Sequence, residues 1–488
     1  MKGIRVFWAL AVFAFVVLGA AAVWLGGLNQ DEGWYLYAAN LCAAGKMLYR
    51  DFFFTQGPEM PRYYKTFTWV WGNWGLLGAR MFTLTLGVAG ICFATGLARH
   101  LAPEGRKSEA ALITFMLLGC NLYHLYYVAI PKTYALAAMF VMMGFFLLAV
   151  GKKTIFVFGA GLALAYAAGT RISLGAILCV VGLWLLMTKR WKDILWFCVG
   201  GFGGLALVYG PYLCDPGARA GLIAAQQYHA ARGGFDLVWA VGSVSRLVRW
   251  YLPVFIVLGL GVAGTCRTSE TSRTKGTGVL LWGFLAVFVV QMMAPFPYED
   301  YQVPIMGLLA VYAAVKLIST AADSSRLLTM VILTLGLCFA NSFGSPLLEK
   351  WMTNGQDRFW SLKKEKCELA QLRDVAKRIE AQDPGGKELF TQDTYLAIET
   401  RRKVPIEFAM GPYAVLSDDD LKRIVTETKM PIAALSGYSF APDMPSGRER
   451  SIEAQMECWT LLKKNYKLVD REEAFGQNAT TLLMLKRK

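Results

Sequence analysis

Two adjacent carboxylates, Asp31 and Glu32, directly follow the first long apolar segment of the chain. Side-by-side carboxylates repel each other and resist desolvation at the edge of a bilayer, so the arrangement is costly unless water or a binding site accommodates it. A carboxylate can act as a general base that takes a proton from a hydroxyl group, and two together can help to hold a divalent cation. The simplest alternative is a solvated helix start, because Asp is a favoured N-cap residue.

The composition places these carboxylates in a polytopic α-helical membrane protein. The chain has 488 residues, of which 55% are hydrophobic and only 17% are charged. Uncharged apolar runs recur through its first two thirds, each near the ~20 residues that cross a bilayer. About 11 transmembrane helices are therefore predicted, at 4–28, 76–100, 109–128, 133–151, 154–170, 172–188, 194–213, 251–266, 278–294, 301–319 and 327–343.

Basic residues cluster in the loops on one side of these spans, and the positive-inside rule makes that side cytoplasmic. The clusters are Lys2 and Arg5, Arg106 and Lys107, Lys152 and Lys153, Lys189, Arg190 and Lys192, Arg267, Arg273 and Lys275, and Arg326. The N-terminus is then cytoplasmic and the C-terminus lies outside. These loops account for most of the net charge of +15, which therefore gives no reason to expect nucleic-acid binding.

The outer segment after the first span predicts two interfacial amphipathic helices on the membrane surface. The first has an apolar face made of Trp34, Tyr37, Ala38 and Leu41. The second follows Pro58 and carries an aromatic stripe of Met60, Tyr63, Tyr64, Phe67 and Trp71. An interfacial aromatic belt explains the stripes, but it explains neither the acidic pair nor the sequence YRDFFFTQGP.

The chain is predicted to divide into a membrane region, 1–343, and a C-terminal soluble α/β domain, 344–488. In the second region, helices are expected over 359–382 and 450–465, and strands over 388–393, 431–439 and 480–487. Cys367 and Cys458 both lie in this region and could form a disulfide in an oxidising compartment.

Three outer segments carry recognisable motifs. The first loop has Asp31-Glu32, Tyr35, Ala39, Gly45, Tyr49-Arg50-Asp51-Phe52, Gln56, Pro58 and Tyr63-Tyr64, an outer turn has Gly169-Thr170-Arg171, and PFPYEDYQVPIMGLLAVYAA spans 295–314. In these motifs, and in its architecture over 1–343, the sequence resembles the membrane-embedded C-type (GT-C) glycosyltransferases. That family uses polyprenyl-phosphate-linked sugars and includes lipid A aminoarabinose transferases and protein O-mannosyltransferases.

The resemblance implies a hexosyl- or pentosyltransferase of the cell envelope, in a bacterial inner membrane, with its C-terminal domain in the periplasm. It implies that Asp31 takes the proton from an acceptor hydroxyl, which attacks opposite the leaving phosphate and inverts the sugar. Glu32 would orient Asp31 or, with it, help to hold Mg²⁺ or Mn²⁺. The sugar is open, and the acceptor can be a glycan, a lipid or a protein.

A departing lipid phosphate needs cations or a metal to stabilise its charge. Lys132 and Arg171 lie in very short outer turns, where basic residues are uncommon, and the first loop adds Arg50, Arg62 and Lys65. These five residues are expected to bind the donor phosphate. Arg171 is the first choice because a guanidinium can grip two phosphate oxygens. The alternative for each is an interfacial anchor whose charge snorkels to water.

Substrate-binding residues are expected among the remaining motif side chains: Tyr35, Asp51, Gln56, Tyr63, Tyr64, Tyr298, Glu299 and Tyr301. Glu299 and Asp300 depart from the family pattern, which more often has His or Tyr there, so they would line the acceptor site or cap the next span. The C-terminal region carries none of the motif residues and is expected to shape acceptor access rather than to perform chemistry.

Other functions stay open at this point. An oligosaccharide or O-antigen ligase would use similar lipid donors and topology. A transporter of lipid-linked glycans would be expected to carry ionisable residues near the bilayer centre, whereas here the charges gather at the outer boundary. The sequence does not exclude a non-catalytic scaffold, although such a protein would not need acidic and basic clusters on one face.

The predicted orientation can be tested with a reporter that is active only outside the cytoplasm. Fused after Trp351, it should be active, because the basic loops hold the opposite side in the cytoplasm. A second reporter, active only in the cytoplasm, is fused at the same position for comparison. If the second reporter is active and the first is not, both the span count and the outer-face site are wrong.

Overall fold

The computed structural model describes residues 2–151, 153–231, 233–265, 276–295, 297–320, 324–352, 367–413, 416–437, 439–440 and 451–488. Up to Met352 the chain is helical: α1 (Lys2–Leu25), α2 (Gln30–Ala43), α3 (Glu59–Lys65), α4 (Thr68–Trp71), α5 (Gly75–Leu101), α6 (Lys107–Gly119), α7 (Leu122–Ala129), α8 (Thr133–Val150), α9 (Thr154–Thr170), α10 (Gly175–Met187), α11 (Trp191–Cys214), α12 (Pro216–Ala230), α13 (Leu237–Trp250), α14 (Leu252–Thr265), α15 (Gly278–Met292), α16 (Met306–Thr320) and α17 (Ser324–Met352). A 3₁₀ turn, Glu299–Ile305, leads into α16.

The apolar helices agree with a multi-pass membrane protein. Within the described residues, five helices are long and apolar enough to cross a membrane, or seven spans if each of the bent pairs α6–α7 and α13–α14 counts as one. The other four predicted spans coincide with shorter apolar helices, Thr154–Thr170, Ile172–Met187, Gly278–Met292 and Leu328–Ser342. Lys152 and the basic loop 267–275, on which part of the orientation argument depends, lie outside the described residues.

The first outer loop differs from the prediction of two helices on the membrane surface. In α2, ten of the fourteen residues are buried, including Trp34, Tyr37 and Ala38 of the predicted apolar face and residues on other faces, because the C-terminal region also packs against the helix. The second helix is broken into α3 and α4 at Thr66–Phe67, and Met60, Tyr64 and Trp71 from its stripe are fully buried. These three residues therefore pack inside the protein, whereas Tyr63 and Phe67 of the stripe are half-buried.

The C-terminal region contains α18 (Glu368–Gln382), α19 (Thr394–Thr400), α20 (Asp418–Glu427), β1 (Ile432–Ser436), α21 (Ile452–Asn465), β2 (Tyr466–Phe475) and β3 (Thr480–Arg487). The strands form an antiparallel sheet in the order β1-β3-β2. The predicted α18, β1, α21 and β3 are present, although residues 359–366 of the first helix lie outside the described residues. No disulfide joins Cys367 and Cys458.

Two features of this region were predicted wrongly. The segment 388–393 makes only isolated bridges, from Glu388 to Lys403 and from Phe390 to Ala433, and is not a strand. Strand β2 was missed because its sequence, YKLVDREEAF, is charged and lacks an apolar alternation. It lies at the edge of the sheet, where charged side chains are tolerated and protect the edge from further pairing.

Candidate active site

Helix α2 carries the acidic pair in its first turn. Asn29 is the N-cap: its side chain accepts a hydrogen bond from the Asp31 N–H at 3.0 Å, and its own N–H donates to Glu32 Oε1 at 3.0 Å. This reciprocal capping box fixes the start of the helix. It also directs the two neighbouring carboxylates to different surroundings.

Glu32 points into the protein, where it pairs with Arg80 of α5. Arg80 Nε and Nη2 donate to the two carboxylate oxygens at 2.7 and 2.6 Å, and neither side chain is exposed to solvent. The remaining Arg80 donors bind the carbonyls of Val23, Gly26 and Gly27. Glu32 therefore holds the corner between α1 and α2 and does not reach the cavity described next.

Asp31 points the other way, into a cavity of about 350 Å³. The cavity is lined mostly by aromatic and polar side chains, which come from eight parts of the chain: Asn29, Gln30, Asp31, Trp34, Tyr35, Thr55, Gln56, Lys132, Tyr134, Arg171, Tyr228, His229, Tyr298, Asp300, Tyr301, Met410, Tyr413, Gln477 and Asn478. Asp31, Tyr35, Gln56, Lys132, Arg171, Tyr298 and Tyr301 were all selected from the sequence, and the structure brings them together.

Lys132 links two carboxylates at the cavity wall. Its Nζ lies 2.9 Å from Asp31 Oδ2 and 3.5 Å from Asp300 Oδ2. The second oxygen of Asp31 accepts from Trp34 Nε1 at 3.1 Å, and the Tyr134 hydroxyl donates to Asp300 Oδ2 at 2.7 Å. Asp300 Oδ1 is buried and has no hydrogen-bond partner among the described residues.

Arg171 is held by two aromatic rings and one hydroxyl. Its guanidinium carbon lies 5.0 Å from the centre of the Tyr134 ring and 4.7 Å from that of Tyr301, within cation–π range. Arg171 Nη1 donates to Thr133 Oγ1 at 3.1 Å. Because a guanidinium has five N–H donors in a planar fork, this support fixes its position while other donors stay available for an anion.

Two glycines bring the first loop against the turn that carries Arg171. A Cβ atom on Gly57 would lie 2.1 Å from the Gly169 carbonyl oxygen, so only glycine permits this approach. The contact joins the Gln56-Gly57-Pro58 segment to Gly169-Thr170-Arg171. It explains why the two motifs, more than a hundred positions apart in the sequence, contribute to one cavity.

Arg50 was predicted to bind the donor phosphate and Asp51 to bind substrate, but neither residue lines the cavity. They pair with each other, with Arg50 Nε 3.0 Å from Asp51 Oδ1, and Arg50 also reaches Asp215 at the start of α12. The hydrogen bonds from Arg50 and from the Met47 N–H hold the pKa of Asp51 at about 2. The pair thus fastens the loop to α12.

Arg62, Lys65, Tyr63 and Tyr64 are also absent from the cavity lining. Arg62 donates to the carbonyls of α11, Lys65 is exposed, and Tyr64 is buried with its hydroxyl on Thr83. Tyr63 packs among phenylalanine rings. Arg62, Tyr63 and Tyr64 therefore attach α3 to neighbouring helices, since each contacts a residue of α5, α8 or α11.

Glu299 was selected as a substrate-binding residue, but its neighbour Asp300 lines the cavity instead. Glu299 Oε2 accepts from Arg246 Nε of α13 at 2.9 Å and does not line the cavity. The 3₁₀ turn sends consecutive side chains in different directions, and this turn was not recognised in the sequence.

Several lining residues had no signal in the sequence. Tyr228 and His229 lie on α12, and His229 Nε2 donates to the Thr55 carbonyl at 2.8 Å. Tyr134 sits two positions after Lys132, a spacing that could have suggested it. Met410, Tyr413, Gln477 and Asn478 come from the C-terminal region, and none of them was selected from the sequence as a site residue.

The acidic pair does not form a metal site. No group of three or more His, Cys, Asp and Glu side chains suited to a metal occurs among the described residues. The carboxylate of Asp31 faces Lys132, and that of Glu32 is enclosed by Arg80. Because the two carboxylates diverge and each already has a cationic partner, they do not fit joint coordination of Mg²⁺ or Mn²⁺.

Comparison with known proteins supports the fold. No protein-family model matches the sequence, and a search of curated proteins gives no match. The crystal structures of ArnT from Cupriavidus metallidurans, in the apo state and bound to undecaprenyl phosphate, each align with 99% of this chain and 98% of their own, with a TM-score of 0.59 and 14% identity. The oligosaccharyltransferase of Archaeoglobus fulgidus aligns with 87% of this chain and 68% of its own, with a TM-score of 0.48 and 12% identity.

The match to ArnT covers nearly the whole chain, including the C-terminal region. ArnT is an aminoarabinose transferase and a GT-C glycosyltransferase. The chain therefore has the GT-C fold that the motifs of its outer segments implied.

The Glu32–Arg80 pair gives a stability prediction. Glu32→Gln keeps the capping oxygen but leaves a buried guanidinium without its counter-charge, so it should lower the free energy of unfolding by about 3–5 kcal/mol. Reversible denaturant unfolding in mixed micelles measures the change. The control is Glu104→Gln, which breaks an exposed pair with Lys107 and should cost at most ~1 kcal/mol. Equal stability of the two variants would contradict the assigned role.

Proposed function

We propose that the protein is a glycosyltransferase that moves one sugar from a polyprenyl-phosphate donor to an acceptor hydroxyl at the outer face of the membrane. The observation that carries this proposal is the placement of the Asp31 carboxylate in the same cavity as Lys132 and Arg171. A base and two cations around one cavity are what transfer from a sugar phosphate requires.

In the proposed reaction, Asp31 accepts the proton of the acceptor hydroxyl as the oxygen attacks the anomeric carbon. The new carbon–oxygen bond forms on the face opposite the phosphate, the old bond to the phosphate oxygen breaks with its electron pair, and the sugar inverts. The products are the glycosylated acceptor, the lipid phosphate and protonated Asp31, which returns its proton to water.

Lys132 and Arg171 would hold the donor phosphate. A phosphate oxygen at Lys132 Nζ competes with Asp31 Oδ2 for the same ammonium group, so donor binding would free one oxygen of the base. Arg171, fixed between two tyrosine rings, offers its planar donors to further phosphate oxygens and stabilises the charge that develops as the bond breaks.

Two further observations support this donor and reaction. ArnT, which shares the fold, has been crystallised with undecaprenyl phosphate, a lipid phosphate of the proposed class. The cavity of about 350 Å³ is of the size usual for small-molecule sites, which favours transfer of a single sugar over transfer of a long glycan. Asp300, Tyr228 and His229 lie around the same cavity and would contact the sugar or the acceptor.

Replacing the base tests the reaction. Asp31→Asn keeps the size of the side chain but removes the proton acceptor, so turnover should fall at least ~10²-fold while the protein stays folded. Transfer of labelled sugar from a polyprenyl-phosphate donor measures this. The matched control is Asp193→Asn, at an ion pair with Arg190 at the start of α11. Turnover of Asp31→Asn close to that of the control would move the base elsewhere.

Replacing the guanidinium tests donor binding. Arg171→Lys keeps the charge but loses the fork and should bind polyprenyl phosphate more weakly than the wild type. Arg171→Ala should bind it more weakly still, by roughly 2–4 kcal/mol, because the phosphate then lacks a partly desolvated partner. Affinity is measured by titration of the purified protein in detergent.

Arg50→Ala is the control for this titration, because Arg50 pairs with Asp51 and Asp215 outside the cavity lining. It should leave the affinity for polyprenyl phosphate unchanged. If Arg171→Ala also leaves it unchanged, Arg171 is an anchor in the interface and the proposed phosphate site is wrong.

A further inference from the structure

Helix α2, which carries Asp31, is covered by the C-terminal region. It packs against α3 on one side and against α19 on another. The first turn of a helix has N–H groups without acceptors inside the helix, and each needs an outside partner when it is buried. How these groups are satisfied determines how firmly Asp31 is held.

The C-terminal region satisfies the first of them. The Gln30 N–H, immediately before Asp31, donates to Gln477 Oε1 at 2.8 Å. One position before the cap, the Leu28 N–H donates to Glu368 Oε2 of α18. Asn29 and Glu32 of the membrane region provide the rest of the cap, so the helix start is completed by both regions of the chain.

Farther along α2, the backbones of the two regions touch. A Cβ atom on Gly33 would lie 2.3 Å from the Tyr395 backbone nitrogen, so α19 approaches the helix as closely as a glycine allows. One turn later the Tyr37 hydroxyl donates to the Val404 carbonyl at 3.2 Å and accepts from the Val404 N–H at 2.9 Å. These contacts join α2 to the C-terminal region along its buried length.

The turn that carries Gln477 is itself fixed to α19. Gly476 adopts a positive φ of 72°, and a Cβ atom there would lie 2.4 Å from the Tyr395 hydroxyl. The Phe475 ring contacts the Tyr395 ring, with centres 5.9 Å apart. The Tyr395 side chain thus supports the turn between β2 and β3, and its backbone lies against Gly33 of α2. Tyr395 therefore contacts both the turn that carries Gln477 and the helix that carries Asp31.

We propose that Gln477 is a positioning residue for Asp31, and that the C-terminal region is part of the catalytic machinery. The hydrogen bond to the Gln30 N–H holds the first turn of α2 so that the Asp31 carboxylate stays directed into the cavity. This inference rests on the proposed function, in which Asp31 is the base. It goes beyond the expectation from the sequence, in which the C-terminal region only shapes acceptor access.

The test compares full-length Gln477→Ala, Gln477→Glu and Gln455→Ala with the wild type. Gln477→Ala should speed amide hydrogen exchange over residues 30–36 and lower kcat about 10- to 10²-fold, because a displaced base misses the attacking hydroxyl. The KM and affinity for the polyprenyl-phosphate donor should not change, because Lys132 and Arg171 are untouched. Gln477→Glu keeps an acceptor oxygen and should restore slow exchange over residues 30–36; because residue 477 lines the cavity, the added charge changes the anion site, so this variant is judged by hydrogen exchange alone. Gln455→Ala is the matched control: it also replaces Gln by Ala, but on α21, and it should match the wild type in both readouts.

Three results would overturn the inference: unchanged exchange over residues 30–36, faster exchange with unchanged kcat, or loss of donor affinity along with kcat. If Gln477→Ala does not fold, Gln477→Met keeps the length of the side chain without the oxygen and is judged by the same criteria. Failure of the proposed function looks different, since the wild type itself would then not transfer sugar from a polyprenyl-phosphate donor, while hydrogen exchange would still report the contact.

Discussion

The candidate site depends on one buried ion pair. Glu32 and Arg80 are both inaccessible to solvent, and every donor of the guanidinium is used, on the carboxylate or on the carbonyls that end α1. A buried pair of this kind tolerates little movement, since separating the charges exposes each to a medium that cannot solvate it. The pair therefore fixes where α1 ends and α2 begins, and the contacts of the C-terminal region with α2 add to this constraint on Asp31.

Opposite charges alternate across that cavity. Asp31, Lys132 and Asp300 form a chain, and Arg171 lies close by between two aromatic rings. Asp31 and Asp300 each have a cation or a hydroxyl as partner, so the burial of several ionisable groups costs less than their number suggests. A dianionic or monoanionic ligand that enters must exchange partners with these groups, which couples binding of an anion to the state of the Asp31 carboxylate.

The sequence predicted the parts of this structure that depend on local pattern. Apolar length identified the apolar helices, and adjacent carboxylates with basic residues in short turns between apolar segments identified Asp31, Lys132 and Arg171. Local pattern did not show that Asp31 and Glu32, or Glu299 and Asp300, point in different directions, because those directions are set by Arg80 and by a 3₁₀ turn. Nor did it find Gln477, whose role arises from a contact between residues 447 positions apart.

That separation along the chain has a consequence for how the protein is made. Helix α2 leaves the ribosome early, but the turn that completes its cap is synthesised 447 residues later, which takes tens of seconds at ~5–20 residues per second. During this interval the membrane helices can assemble while the first turn of α2 still lacks one partner. A chain that stops before the last strand pair would thus contain every charged residue of the cavity lining and still lack the contact from Gln477 to the first turn of α2.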